Sequence, residues 1–245
     1  MTFPSAAGAP PGFPNCLLCP YRVTGHAAIC ISCALATVPP LVGDRCLICA
    51  QQIEQGSCRN AICRRPAHER GFGTVSAISV HSSPLADTLQ RFKYEGAVAW
   101  SWIFGRLVLG WLDRHAWTAR GYSLILANPS WTGRQPYQHV EMILDAAATE
   151  DVHRRWPILP RGLVKPVETP RSAGGSLSAK LDAAAQHAFA LRVAEPVIMR
   201  LASARVLLVD DVFTTGAQFD AVGRLLRTWG VAHVDGLVIA RAPWR

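Results

Sequence analysis

From residue 74 onward the chain alternates between two hydrophobic rhythms. Short runs dense in Val, Ile, Leu and Ala predict strands: "TVSAISV" (74–80), "YSLILAN" (122–128), "GLVKPV" (162–167), "RVLLVDDVF" (205–213) and "HVDGLVIA" (233–240). Between them, apolar residues at three- and four-residue spacing predict helices. These are "PLADTLQRFKY", opened by Pro84 at a first-turn position, "AVAWSWIFGRLVLGWLDRH", "HVEMILDAAATEDVHRR", "SAKLDAAAQHAFAL" and the stretch from Ala217. A Pro/Gly/Ser-rich loop occupies residues 168–178. Strands separated by helices predict an α/β fold, a parallel sheet flanked by helices.

The strand at 205–213 ends in two adjacent carboxylates, Asp210 and Asp211, followed at once by Thr214, Thr215, Gly216 and the helix that begins at Ala217. In such sheets ligands sit at the carboxyl ends of strands. A loop at a helix N-terminus offers free amides and the positive end of the helix dipole, which favour phosphate. The carboxylates would repel a phosphate but suit neighbouring sugar hydroxyls, directly or through Mg²⁺. The plainer alternative is that a threonine caps the helix and both aspartates face water.

Before residue 74 the chemistry changes. All eight cysteines lie here, as three C-x2-C pairs and one C-x4-C pair: Cys16 and Cys19, Cys30 and Cys33, Cys46 and Cys49, Cys58 and Cys63. Two such pairs complete a tetrahedral zinc site, so two structural zinc ions are expected. The simplest sets are Cys16/Cys19/Cys30/Cys33 and Cys46/Cys49/Cys58/Cys63; a cross-braced pairing fits the same spacings. Disulfides suit a secreted module, but residues 1–14 lack the charged start and apolar core of a secretory signal and read as a flexible tail. This divides the chain into a tail (1–14), a cysteine module (15–70) and the α/β domain (71–245). A metal-held module of this size draws its folding energy from the ion and is expected to fold as a unit of its own. Three features depart from common zinc knuckles. Pro20, Ala34 and Ala50 stand where glycine is frequent, Cys58 and Cys63 are widely spaced, and His68 is an alternative ligand.

With 25 Lys and Arg against 17 Asp and Glu, the formal charge is +8, which favours anionic partners. The longest apolar run, 97–112, is interrupted by Arg106 and is short for a bilayer, so no membrane span and a cytoplasmic location are expected.

"LLVDDVFTTG" resembles the phosphoribosyl-pyrophosphate (PRPP) motif of type I phosphoribosyltransferases. Phe92, Lys93, Tyr94 and Gly96 resemble the F-K-Y-x-G segment of the ComF family, and Tyr137, His139 and Glu141 in "RQPYQHVEMIL" match a second family stretch. With the cysteines ahead of them, the resemblance covers residues 16–241. It implies a double zinc ribbon before a phosphoribosyltransferase-like domain that takes PRPP with Mg²⁺. Asp210 and Asp211 would meet the ribose diol as the catalytic carboxylates, while Thr214, Thr215, Gly216, Ala217 and Gln218 surround the 5′-phosphate. Lys93, Arg134 and Lys165 are candidates for the departing diphosphate. The activity implied is transfer of a phosphoribosyl group to an unknown acceptor.

The family's association with natural competence implies an alternative: a non-catalytic adapter for single-stranded DNA or a DNA-translocating helicase. Trp100, Trp102, Trp111 and Trp117 would then offer stacking surfaces, although the same spacing suits core packing. The chain departs from the family pattern at Gln218, where Thr or Ser is usual, and at Pro136, where Gly is usual. The helix "AKLDAAAQHAF" also lacks the customary Arg and Asn, and of the mobile loop's residues Lys165, Thr169 and Arg171 remain.

Overall fold

The structure, a computed structural model, describes residues 37–53, 56–170 and 176–243. The tail, Cys16, Cys19, Cys30, Cys33 and Arg171 lie outside the described residues. In chain order the elements are β1 (Val75–Val80), α1 (Ser83–Tyr94), α2 (Trp100–Arg114), α3 (Ala116–Ala119), β2 (Leu124–Ala127), α4 (His139–Glu150), β3 (Ile158–Leu159), β4 (Leu163–Val164), α5 (Leu177–Phe189), β5 (Arg192–Val193), α6 (Glu195–Ile198), β6 (Arg205–Phe213), α7 (Ala217–Thr228) and β7 (His233–Arg241).

Five strands form one sheet in the order β1-β7-β6-β2-β3, every neighbouring pair parallel. Along β6 successive side chains alternate between its faces. Leu207 and Val209 join Leu85, Phe92, Phe104 and Val140 in one core, beneath α1, α2 and α4. Val206 and Leu208 join Phe72, Ala188, Phe219, Val222 and Leu226 in the other, beneath α5 and α7. With both faces covered, the central strands need apolar residues at every position, and β2 is buried throughout.

The expected α/β architecture is therefore present, with local differences. "GLVKPV" contributes β4, which pairs antiparallel with β5 in a small ladder outside the main sheet. α4 stops at Glu150, short of the predicted end. There Asp151 Oδ2 accepts from the Trp156 amide at 2.8 Å and Arg154 adopts a positive φ of 47°, turning the chain into β3. Trp100 is fully buried and stacks on Phe104, whereas Trp117 is 98% exposed, so the tryptophan spacing does not make one stacking surface. Among the described residues no helix is long and apolar enough to cross a membrane.

The cysteine segment does not stand apart. Cys49, Ala50, Ile62 and Cys63 belong to the same core as Phe72, Phe213 and Phe219, so this half of the module shares buried surface with the α/β domain.

Candidate functional site

The register of the sheet builds the site. Ala127 lies beside Val209, so Asn128, the first residue past β2, meets Asp210 of β6. Asn128 Nδ2 donates to Asp210 Oδ2 at 2.6 Å, and the Asp211 amide donates to Asp210 Oδ1 at 2.8 Å. Because Asn128 turns its NH₂ toward Asp210, its Oδ1 faces His187 Nε2 at 3.0 Å, and the imidazole must donate there. Burial, then Lys165, hold His187 down at about 3, so it is neutral and carries its proton on Nε2.

Asp211, one residue on, points the other way. Its Oδ2 lies 2.6 Å from both Lys93 Nζ on α1 and His139 Nε2 on α4, though neither approach has the angle of a well-formed hydrogen bond. His139 Nδ1 lies 3.0 Å from Ser130 Oγ. Burial keeps His139 below its ordinary value; neutral, it directs Nε2–H at Asp211 and accepts from Ser130. The two carboxyls are pushed apart. Burial and the neighbouring Asp211 raise Asp210 to about 7. Burial also acts to raise Asp211, but Lys93 and His139 overcome it and hold that group well below the usual carboxylate range.

After β6 the chain turns through residues 214–216 into α7. Gly216 takes φ 85°, and a Cβ there would sit 2.4 Å from the Phe213 ring, so glycine is required twice over. Gly216 offers no side-chain cap, and Thr215 Oγ1 accepts from the Ala217 amide only at a long 3.4 Å.

A cavity of about 660 Å³ opens over this edge. It gathers Asp210, Asp211, Thr214 and Gln218 with Lys93, Arg134 and Lys165, all of them marked by the sequence. Thr215, Gly216 and Ala217 line an adjoining depression of about 20 Å³ that shares Lys180, Asp210, Thr214 and Gln218 with the cavity. Arg134 lies 5.2 Å over the Tyr94 ring. Lys165 is 7% exposed, and burial lowers its ammonium from the ordinary value. Among the described residues no carboxylate lies within ion-pair distance of Lys165 or Lys180.

Sequence reasoning missed Asn128, Ser130, Lys180 and His187. The available signal was an asparagine at the end of a buried strand, the counterpart on β2 of Asp210 on β6. Tyr137 and Glu141 brace the site from outside the cavity. Tyr137 donates to the Phe92 carbonyl, and Glu141 Oε1 accepts from the Ser130 amide and Gln138.

The second candidate site is the cysteine cluster. The sulfurs of Cys46, Cys49, Cys58 and Cys63 lie within 4.8 Å of one another, with Cys49 and Cys58 at 3.7 Å. A tetrahedral ion with Zn–S bonds of about 2.3 Å sets its sulfurs about 3.8 Å apart, so the four fit a metal. This is the sequential quartet. Ala50 accepts the left-handed conformation, φ 55°, that glycine supplies in many knuckles. Arg241, 2% exposed, brings Nη2 to 3.8 Å from Cys49 Sγ, offsetting part of the negative charge four thiolates would carry. His68 is exposed and takes no part.

No protein-family model matches the chain, and no curated protein matches it.

Proposed function

We propose that the chain binds PRPP and acts as a phosphoribosyltransferase-like protein of the ComF type, transferring a phosphoribosyl group to an acceptor. One observation carries this: adjacent carboxylates share a cavity with four cationic side chains, and a glycine-turned helix N-terminus lines the depression that adjoins it. In this reading the amides of the 214–217 loop take the 5′-phosphate, with Gln218 donating its side-chain amide where a hydroxyl is usual. Asp210 and Asp211 face the ribose diol. The bond from the anomeric carbon to diphosphate breaks as the bond to the acceptor forms, and Lys93, Arg134, Lys165 and Lys180 stabilise the charge departing on diphosphate. Asp211, held ionised, faces the positive charge developing on the sugar. Asp210, near neutrality in its proton affinity, is suited to holding or releasing a proton there.

Both Asp210 oxygens already accept protein hydrogen bonds, and Asp211 Oδ2 is crowded by two nitrogens at 2.6 Å. These carboxylates alone do not form a Mg²⁺ site, so the expected Mg²⁺ would arrive on the diphosphate oxygens. At the cysteine cluster we infer zinc, since four thiolates select a soft tetrahedral ion; with no open position its role is structural.

Calorimetric titration of Mg²⁺–PRPP, ribose 5-phosphate and a single-stranded oligonucleotide tests the reading. PRPP should bind more tightly than ribose 5-phosphate. Binding of the oligonucleotide alone would favour the DNA-handling alternative.

A further inference from the structure

The loop between Cys58 and Cys63 reaches across to the turn that follows β6. Asn60 sits inside it, 1% exposed, and its Nδ2 donates to the Thr215 carbonyl at 3.0 Å. The Ile62 amide donates to Asn60 Oδ1 at 2.9 Å, which fixes the orientation of the side-chain amide. In a planar trans peptide the carbonyl and the following N–H point in opposite directions. Holding the Thr215 oxygen toward Asn60 therefore aims the Gly216 N–H away from the cysteine loop.

Two more ties reach the same turn. Arg241 donates from Nε to the Cys49 carbonyl at 2.9 Å and from Nη1 to the Phe213 carbonyl at 3.1 Å, with its guanidinium 4.8 Å over the Phe213 ring. That ring is the one packed against Gly216. At the first turn of α7, Asp220 accepts from the Gly71 amide at 2.7 Å and pairs with Arg65 at 3.0 Å. The start, middle and far side of the turn are thus each fastened to residues of the quartet's loops or next to them.

From these ties we propose that the metal-held cysteine loop shapes the 214–216 turn, with Asn60 as its positioning residue, so that metal occupancy and phosphate-ester binding are coupled. The proposal rests on the reading of that turn as a phosphate site. Coupling of this kind is reciprocal: whatever the metal does for ligand affinity, the ligand does for metal affinity.

The test uses Asn60→Asp in the full chain, which keeps the shape and the acceptor for Ile62 but removes the donor to Thr215. The variant should retain its metal, bind ribose 5-phosphate about five- to tenfold more weakly, and exchange the amides of residues 214–220 faster in hydrogen-exchange mass spectrometry. Stripping metal with a chelator should speed exchange in the same segment, and saturating ribose 5-phosphate should slow metal release. Wild-type exchange and affinity in the variant would overturn the proposal, as would loss of metal from it, which would make Asn60 a brace of the cysteine loop only. If ribose 5-phosphate binds neither protein, the phosphate-site reading fails. The exchange comparison, which needs no ligand, then decides whether the loop and the turn are coupled.

Discussion

Lys93 Nζ and Asp211 Oδ2 stand 2.6 Å apart, joining the last turn of α1 to the end of β6, with His139 Nε2 equally close to the same oxygen. The lysine is thereby held in the cavity by a carboxylate with little access to water. Neither group is indifferent to loss of the other.

Lys93→Met leaves Asp211 with only a neutral imidazole beside it. Removing one partner of a buried pair costs roughly 3 kcal/mol, to be read from urea unfolding at pH 7. The double variant Lys93→Met/Asp211→Asn should lose less than the two single losses combined. Simple additivity would show that the pair contributes nothing specific.

Asp210→Asn should reverse a chain of hydrogen bonds. The atom facing the Asp211 amide must stay an acceptor, so the new NH₂ faces Asn128, which must flip and turn its own NH₂ toward His187. His187 then accepts at Nε2 and carries its proton on Nδ1. Long-range ¹⁵N–¹H NMR should show Nε2 protonated in the parent and Nδ1 protonated in the variant. An unchanged tautomer would contradict the donor order assigned here.

Glu141 is buried, and burial raises its carboxyl to about 7, while its Oε2 has no hydrogen-bond partner among the described residues. A folded-state value above the unfolded one favours the protonated form. The stability it contributes is complete below the ordinary value near 4.5 and is lost as pH rises through about 7. Glu141→Gln should flatten the decline in urea midpoint between pH 5 and pH 8. Asp211 works in the opposite sense, because its value is lowered: its contribution is lost only as pH falls below the ordinary carboxylate range.

Gly216→Ala places a methyl group against the Phe213 ring in a left-handed backbone. The strain is of order 1–3 kcal/mol, and ribose 5-phosphate affinity should fall with it. Calorimetry alongside urea unfolding separates the two effects. An alanine variant as stable and as competent as the parent would mean that the ring turns aside.

Cys49→Ser should remove one equivalent of metal, measured by elemental analysis. It should also lower the thermal midpoint of the whole chain, since Cys49 lies in the core shared with Phe72 and Phe213. A midpoint equal to the parent's would show that the cluster is peripheral to folding.

The parts legible in the sequence were those in which one segment carries its own signal. β6 and the turn after it announce themselves by an unbroken apolar run closed by Asp210 and Asp211, and the quartet by cysteine spacing. β3, two residues long, is too short to show any period, and β5 is no longer. Asn128, His187 and Lys180 reach the cavity from β2 and α5, and only the strand register and the helix docking bring them there. Asn60 was visible merely as part of an odd spacing. Its partner, the Thr215 carbonyl, is backbone that no side-chain pattern can mark. Arg241 ends an apolar strand, and its burial follows from the arrangement of Cys49 and Phe213 around it.

The meeting of Gly71 with α7 bears on how such a chain can be recombined. A Cβ on Gly71 would fall 2.0 Å from the Asp220 carbonyl oxygen, and one on Gly223 would fall 2.1 Å from the Gly71 oxygen. The seam between Gly71, the first residue past the cysteine segment, and α7 is thus closed by bare backbone on both sides. Transplanting the cysteine segment together with Gly71 onto another α/β sheet would require a recipient helix that already has a glycine at the matching turn and a carboxylate one turn earlier. A junction placed just after Gly71, with a recipient helix lacking that glycine, would therefore tend to give chains that cannot close.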